Sequence, residues 1–283
     1  MHYNALVLSV VTFVYGLAAV LYVFSWAFRK KMPGKLATWV TLAACLGNAA
    51  GLALRWYESY QIGGGYGHAP LSNIYESLTF FALTIGTIYL VIERRYGNRA
   101  IGVFALPLAF FALAYASFGT NDRIQPLIPA LKSNWLIAHV ISCFIGYAAF
   151  GVAFCVSIMY LFKADRSRDA GNGILSRMPD GAILDELTHQ LIMFGFLFLT
   201  VGIVTGAVWA NSAWGRYWGW DPKETWSFIT WLIYAALLHF RMMRGWRGKR
   251  IAVLSIVGFA AVLFTYFGVN LLPGLHSYGA LKG

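Results

Sequence analysis

Apolar residues in this chain come in long blocks rather than in alternation. Runs of about 20 residues, the length that crosses a bilayer as a helix, recur at 5–28, 36–56, 73–92, 99–118, 135–162, 188–209, 223–243 and 251–271. Backbone polar groups in lipid must be satisfied within their own segment, so the blocks predict helices. The predicted fold is all-α: a polytopic membrane protein with about eight transmembrane helices, forming a single integral membrane domain over 1–283. The longest polar break, about 163–187, carries Ile183, Leu184 and Leu187 at a spacing that predicts a short surface helix. The first block is too long for a signal-peptide core, and its basic cluster follows it, so it reads as a span.

Composition agrees, and charge adds an orientation. Of the 283 residues, 59% are hydrophobic and 12% charged, against about 25% charged in soluble domains. The net charge of +11 does not indicate nucleic acid, because the basic residues sit in short breaks between blocks. One alternate set of breaks holds sixteen of them, including Arg29, Lys30, Lys31, Lys35, Arg94, Arg95 and Arg99; the other holds six, among them Arg55, Arg123 and Arg216. The positive-inside rule makes the first side cytoplasmic and puts both termini outside. Cys45, Cys143 and Cys155 fall within apolar blocks and form no C-x-x-C pair, which argues against thiol–disulfide chemistry and a zinc site.

One segment breaks the pattern. WGRYWGWDPKETW, residues 214–226, sets four tryptophans and a tyrosine beside Arg216, Asp221, Lys223 and Glu224. Asp221-Pro222-Lys223-Glu224 reads as a helix start: a cap, a proline at the first helical position, and a glutamate three residues after the cap. Trp214, Trp218 and Trp220 are then expected in the loop before the seventh span, and Trp226 one turn into it. Residues 209–231, an external segment in this orientation, hold six of the eleven tryptophans. An interfacial aromatic belt would spread them over all the span ends. Gathered rings instead offer a stacking face to a flat apolar ligand, with Arg216, Lys223 and free N–H groups of the helix start as donors to its acidic groups.

Of the six histidines, five besides His2 are placed by the same register. His139 lies near the outer end of span five, and His276 just past span eight, at the same level. His239 lies about 25 Å down span seven. His189 opens span six, and His68 sits in a Gly-rich outer loop, both readable as interfacial anchors. Ionisable residues within spans are functional candidates, and paired histidines beside an aromatic surface suit haem iron.

The tryptophan segment resembles the WWD signature of haem-handling proteins in cytochrome c maturation. PLSNIYESLTFF (70–81), SNWLIAHVISCFIGYAAF (133–150) and LHSYG (275–279) resemble segments of the CcsA/ResC family of the system II pathway, called CcsB in some naming schemes. The resemblance implies His139 and His276 as outer axial ligands of haem b iron, flanking Trp214, Trp218, Trp220, Asp221 and Trp226. It implies His239 as ligand at an inner site, its second ligand supplied by a ResB/CcsB-type partner. The expected function is to carry haem across the membrane and present it for thioether attachment to apocytochrome c bearing C-x-x-C-H, as the haem-handling subunit of a holocytochrome c synthase. The resemblance also implies thiol-reducing proteins as indirect partners. The expected location is a bacterial cytoplasmic membrane, with the plastid thylakoid as alternative. Two other readings remain at this point: a haem exporter or chaperone with no part in attachment, and a bis-histidine haem anchor of a quinone-linked redox complex.

Overall fold

The computed structural model describes residues 3–63, 66–165, 174–272 and 274. Among them are eight α-helices, joined by short 3-10 turns, and no strand. They are α1 (Tyr3–Phe28), α2 (Lys31–Gln61), α3 (Ile74–Tyr96), α4 (Gly102–Gly119), α5 (Asn134–Asp165), α6 (Gly181–Trp214), α7 (Pro222–Arg244) and α8 (Lys249–Tyr266). All but α7 are long and apolar enough to cross a membrane, α4 and α8 when counted with their flanking turns. The protein is therefore a multi-pass, all-α membrane protein. α7 has the length but carries Lys223, Glu224, His239, Arg241 and Arg244 besides its tryptophans.

Two corrections follow from the helix ends. No separate surface helix covers Ile183, Leu184 and Leu187. They belong to the first turns of α6, where Leu184 and Leu187 are buried. Trp214 is the last residue of α6 rather than part of the loop.

The chain divides into two compact units, Met1–Ile128 with Phe162–Asp180, and Pro129–Leu161 with Gly181–Gly283. In the first, α1 packs on α2 and α4, and α3 on the same two helices, which closes a four-helix bundle. Its interior holds charges that sequence reasoning placed in loops. Arg55 is 1% exposed and donates to Glu76 at 2.8 Å, to Asn4 Oδ1 and to the carbonyls of Asp122 and Arg123. Its guanidinium also lies over the Tyr75 ring. Glu76 accepts from the Ser72 N–H and hydroxyl, while Asn73 caps α3 through the Glu76 N–H.

His68 is not an interfacial anchor but is buried beside this network, with Nε2 3.8 Å from Glu76. Its Nδ1 lies 2.6 Å from the Tyr66 carbonyl. Burial opposes its charged form, as does Arg55. Hydrogen bonding and charge from Glu76, helped by the Tyr66 carbonyl, outweigh both and raise its pKa above 6.5.

In the second unit α6, α7 and α8 pack on one another, and α5, the most buried of the long helices, meets each of them. Phe150 of α5 stacks on Tyr234 of α7 at 3.6 Å, and Phe154 meets Phe259 of α8. α5 and α6 approach along small residues: a Cβ on Gly146 would lie 3.0 Å from the Gly195 carbonyl, and one on Gly202 2.5 Å from Cys143 Sγ. Close backbone approach of this kind is how helices associate in lipid, where apolar burial drives nothing.

Candidate functional site

The α5–α6 seam positions His139. Its Nδ1 lies 2.7 Å from the Gly202 carbonyl, and a Cβ on Gly206 would stand 2.6 Å from that nitrogen. A carbonyl only accepts, so Nδ1 carries the proton and Nε2 keeps its lone pair. This is how second-shell carbonyls orient metal-binding histidines. No hydrogen bond to Nε2 is made among the described residues. Cys143, one turn on, has its buried Sγ 3.6 Å from Nδ1.

Trp209 completes this end of the seam. Its ring is nearly parallel to the His139 imidazole, with centroids 6.0 Å apart and planes 14° apart. Its indole N–H donates to the Ala130 carbonyl at 2.9 Å, and Trp214 packs edge-on against it at 4.9 Å. Sequence reasoning counted Trp209 in the cluster but gave it no role. The available signal was its spacing of seven residues from Gly202, two turns along one face of α6.

The loop into α7 is held by carboxylates. Glu224 Oε2 accepts from the Gly219 N–H at 2.7 Å and the Asp221 N–H at 3.2 Å, while Asp221 Oδ1 accepts from the Lys223 N–H at 3.0 Å. The expected capping box is thus present, with Pro222 at the helix start. It also corrects one expectation. The N–H groups of this helix start are not free to bind a ligand's acidic groups, because Asp221 and Glu224 take them up. Two left-handed residues, Gly215 (φ 75) and Trp220 (φ 56), turn the chain here. A left-handed tryptophan is an outlier that the surroundings must enforce, and Glu224 does so from both sides.

The tryptophans do not form one flat sheet. Trp218 meets Trp220 at 90° and Phe228 at 83°, and Phe228 is nearly parallel to Trp231 at 6.2 Å. Trp220 is 68% exposed, whereas Trp218 buries its ring N–H without a hydrogen-bond partner among the described residues. Trp226 turns to Phe264 of α8 at 4.2 Å.

The remaining histidines divide. His239 is exposed on α7, its ring edge-on to Phe240. Two residues on, and on the opposite side of the helix, Arg241 is buried and paired with Asp185 at 2.8 Å and Glu186 at 3.2 Å. His189 is partly buried on α6, and its Nδ1 has no hydrogen-bond partner among the described residues. His276 lies outside the described residues.

These features define a class: a multi-pass membrane protein whose oriented histidine sits beside a tryptophan-rich turn between two long helices. The chain belongs to the cytochrome c assembly protein family, whose model matches residues 71–276. It is 43% identical to the cytochrome c biogenesis protein CcsA of Parasynechococcus marenigrum (strain WH8102), over 82% of each chain. To the protein of that name from Porphyra purpurea it is 39% identical, over 96% of this chain and 97% of the other. Among solved structures it resembles the cytochrome c haem lyase CcmF, with TM-score 0.67 and 18% identity. That match covers 95% of this chain and 49% of the other, and shows a shared fold. The family places the chain in cytochrome c biogenesis.

Proposed function

We propose that this protein carries haem b across the membrane and presents it on the outer face, together with a ResB/CcsB-type partner, for thioether attachment to apocytochrome c. The single observation that carries this reading is His139. Its Nδ1 is committed to the Gly202 carbonyl, and its plane is matched by Trp209, which leaves Nε2 as the nitrogen for iron. His276 is the proposed second ligand. Trp214, Trp218, Trp220 and Trp226 are the proposed apolar surround, with Arg216 and Lys223 as the cations for the propionates. What the protein supplies is position: a fixed imidazole, a turn held by Asp221 and Glu224, and exclusion of water by indole rings.

His239 is the proposed inner ligand. Its exposure on α7 supports a second ligand from the partner, since an exposed side chain is open to another subunit. The membrane is proposed to be the bacterial cytoplasmic membrane, with the tryptophan turn outward; the distribution of basic residues between alternate loops supports that sense. The test is maturation of a reporter cytochrome c with His139→Ala, His276→Ala and the double variant, each produced with the partner. Loss of covalent haem at unchanged protein level is expected. Normal maturation in the double variant would sink the ligand assignment.

A further inference from the structure

The turn between α1 and α2, and the groove beside it, take no part in the site above. Both lie in the first unit. Phe24 of α1 and Met32, Leu36 and Trp39 of α2 line an almost wholly apolar groove of about 690 Å³, with Lys35 at its edge. That volume is in the range of small-molecule sites.

The frame around it is fixed. A Cβ on Gly34 would lie 2.6 Å from Ser25 Oγ, so the two helices touch here. The Ser25 hydroxyl donates to the Lys30 carbonyl at 2.8 Å, and the Arg177 guanidinium donates to the carbonyls of Trp26 and Ala27. The Trp26 and Ala27 carbonyls belong to the last turn of α1, which a helix end otherwise leaves unsatisfied. Arg29, at φ 56, closes the turn in the left-handed region.

On this frame stands a row of cations. Lys31 and Lys35 are one helical turn apart on one face of α2, and Trp39 follows a turn further on. Lys30, Lys31 and Lys35 are all exposed, and none has an acidic partner among the described residues. Within a bilayer an apolar wall selects nothing, because lipid tails are as apolar as the groove. Selection must come from its edge, where Lys35 lines the groove and Lys31 stands one turn before it on the same face of α2. Trp39, one turn deeper than Lys35, suits the boundary between headgroup and acyl chain, with an apolar ring and a polar N–H. An anionic headgroup gains attraction from these lysines that a neutral helix in the groove would not.

We propose that this groove is a binding site for an anionic phospholipid, its acyl chain lying along Leu36 and Trp39 and its phosphate held by Lys30, Lys31 and Lys35. The experiment uses the full-length protein in phosphatidylcholine nanodiscs, with spin-labelled phosphatidylglycerol and spin-labelled phosphatidylcholine as the two probes. The immobilised fraction of each gives the preference between them. Wild type is expected to prefer phosphatidylglycerol, and Lys31→Gln with Lys35→Gln to lower that preference by about five-fold per lysine. Lys249→Gln with Arg250→Gln, at the start of α8, removes the same charge elsewhere and is expected to leave the preference intact. An equal loss in this control, or no loss in the α2 variant, overturns the proposal. So does a photo-cross-linker at position 36 that captures a polypeptide in place of phospholipid. Both pairs of residues are exposed, so the variants do not disturb the core.

Discussion

Gly206→Ala isolates what the α5–α6 seam does for His139. The added methyl would start 2.6 Å from Nδ1 and 2.7 Å from Cε1, closer than real Cβ contacts come. The ring cannot turn in place without giving up its 2.7 Å bond to the Gly202 carbonyl, and Cys143 Sγ, 3.6 Å from Nδ1, limits its retreat. A neutral hydrogen bond contributes about 0.5–1.5 kcal/mol net. Losing the carbonyl that orients a metal-binding histidine typically costs 10–100-fold in metal affinity, and the size of the hydrogen bond points to the lower end. The expected result is about a ten-fold loss of haem affinity, close to 1.4 kcal/mol. The helix itself should not suffer, since alanine is favoured over glycine in a helix interior by about 1 kcal/mol. The assay is haem titration of the purified protein with its partner, read by absorbance, alongside thermal unfolding and protein yield. Unchanged haem affinity would refute the orienting role of the seam. A fall in folded protein that accounts for all the lost haem would show that Gly206 serves packing alone.

Trp218→Ala with Trp220→Ala is expected to lower haem retention more than protein level; if only the protein level falls, the rings are an interfacial belt. Glu76→Gln leaves the buried Arg55 charge without its carboxylate and should cost about 3–5 kcal/mol, read as a lowered unfolding temperature by fluorescence-detected chromatography. Replacing both partners with apolar residues removes the uncompensated charge but leaves Asn4 Oδ1, the carbonyls of Asp122 and Arg123 and the Ser72 N–H without a partner, so it should recover only part of that loss, and a double variant as stable as the wild type would contradict it. His68 makes a pH-dependent contribution. Its folded pKa is raised above 6.5, so the stabilisation is complete below the unfolded value and is lost as pH rises through the folded one. Unfolding temperature should therefore fall over that window in the wild type and less steeply in His68→Ala, and parallel profiles would count against it.

The helices were legible because lipid demands long apolar blocks, and the start of α7 was legible because capping chemistry is local. Asp221, Pro222 and Glu224 act within four residues of one another. What failed was what depends on the other helices. Arg55 looks like a loop charge, because nothing near it in sequence shows that Asn4, Glu76 and two carbonyls converge on it. The block at 188–209 stops short of both ends of α6, since Leu184 and Trp214 are helical through packing rather than hydropathy. His139 was found as a polar residue in an apolar block. Its tautomer and its pairing with Trp209 are fixed across the α5–α6 seam, so neither could be read from local pattern.

α7 falls short of the apolar character of the other seven helices, and three of the residues responsible, Lys223, Trp226 and His239, are ones with proposed roles toward haem. Lys223, Glu224 and Trp226 crowd its first turns, and His239 and Arg241 its last. Such a helix is a poor independent span, because each charge left in lipid is costly. Its neighbours offset that cost at intervals along its length. Thr230 Oγ1 meets Thr265 Oγ1 of α8 at 2.9 Å, Trp231 donates to Thr200 of α6 at 2.9 Å, and Arg241 pairs with Asp185 at the far end. Asp185 also accepts from the Gly248 N–H at 2.7 Å, which ties the end of α7 to the start of α8. The polar side chains of α6 and α8 therefore hold a helix that carries one proposed haem ligand and follows the tryptophan turn, despite its charges.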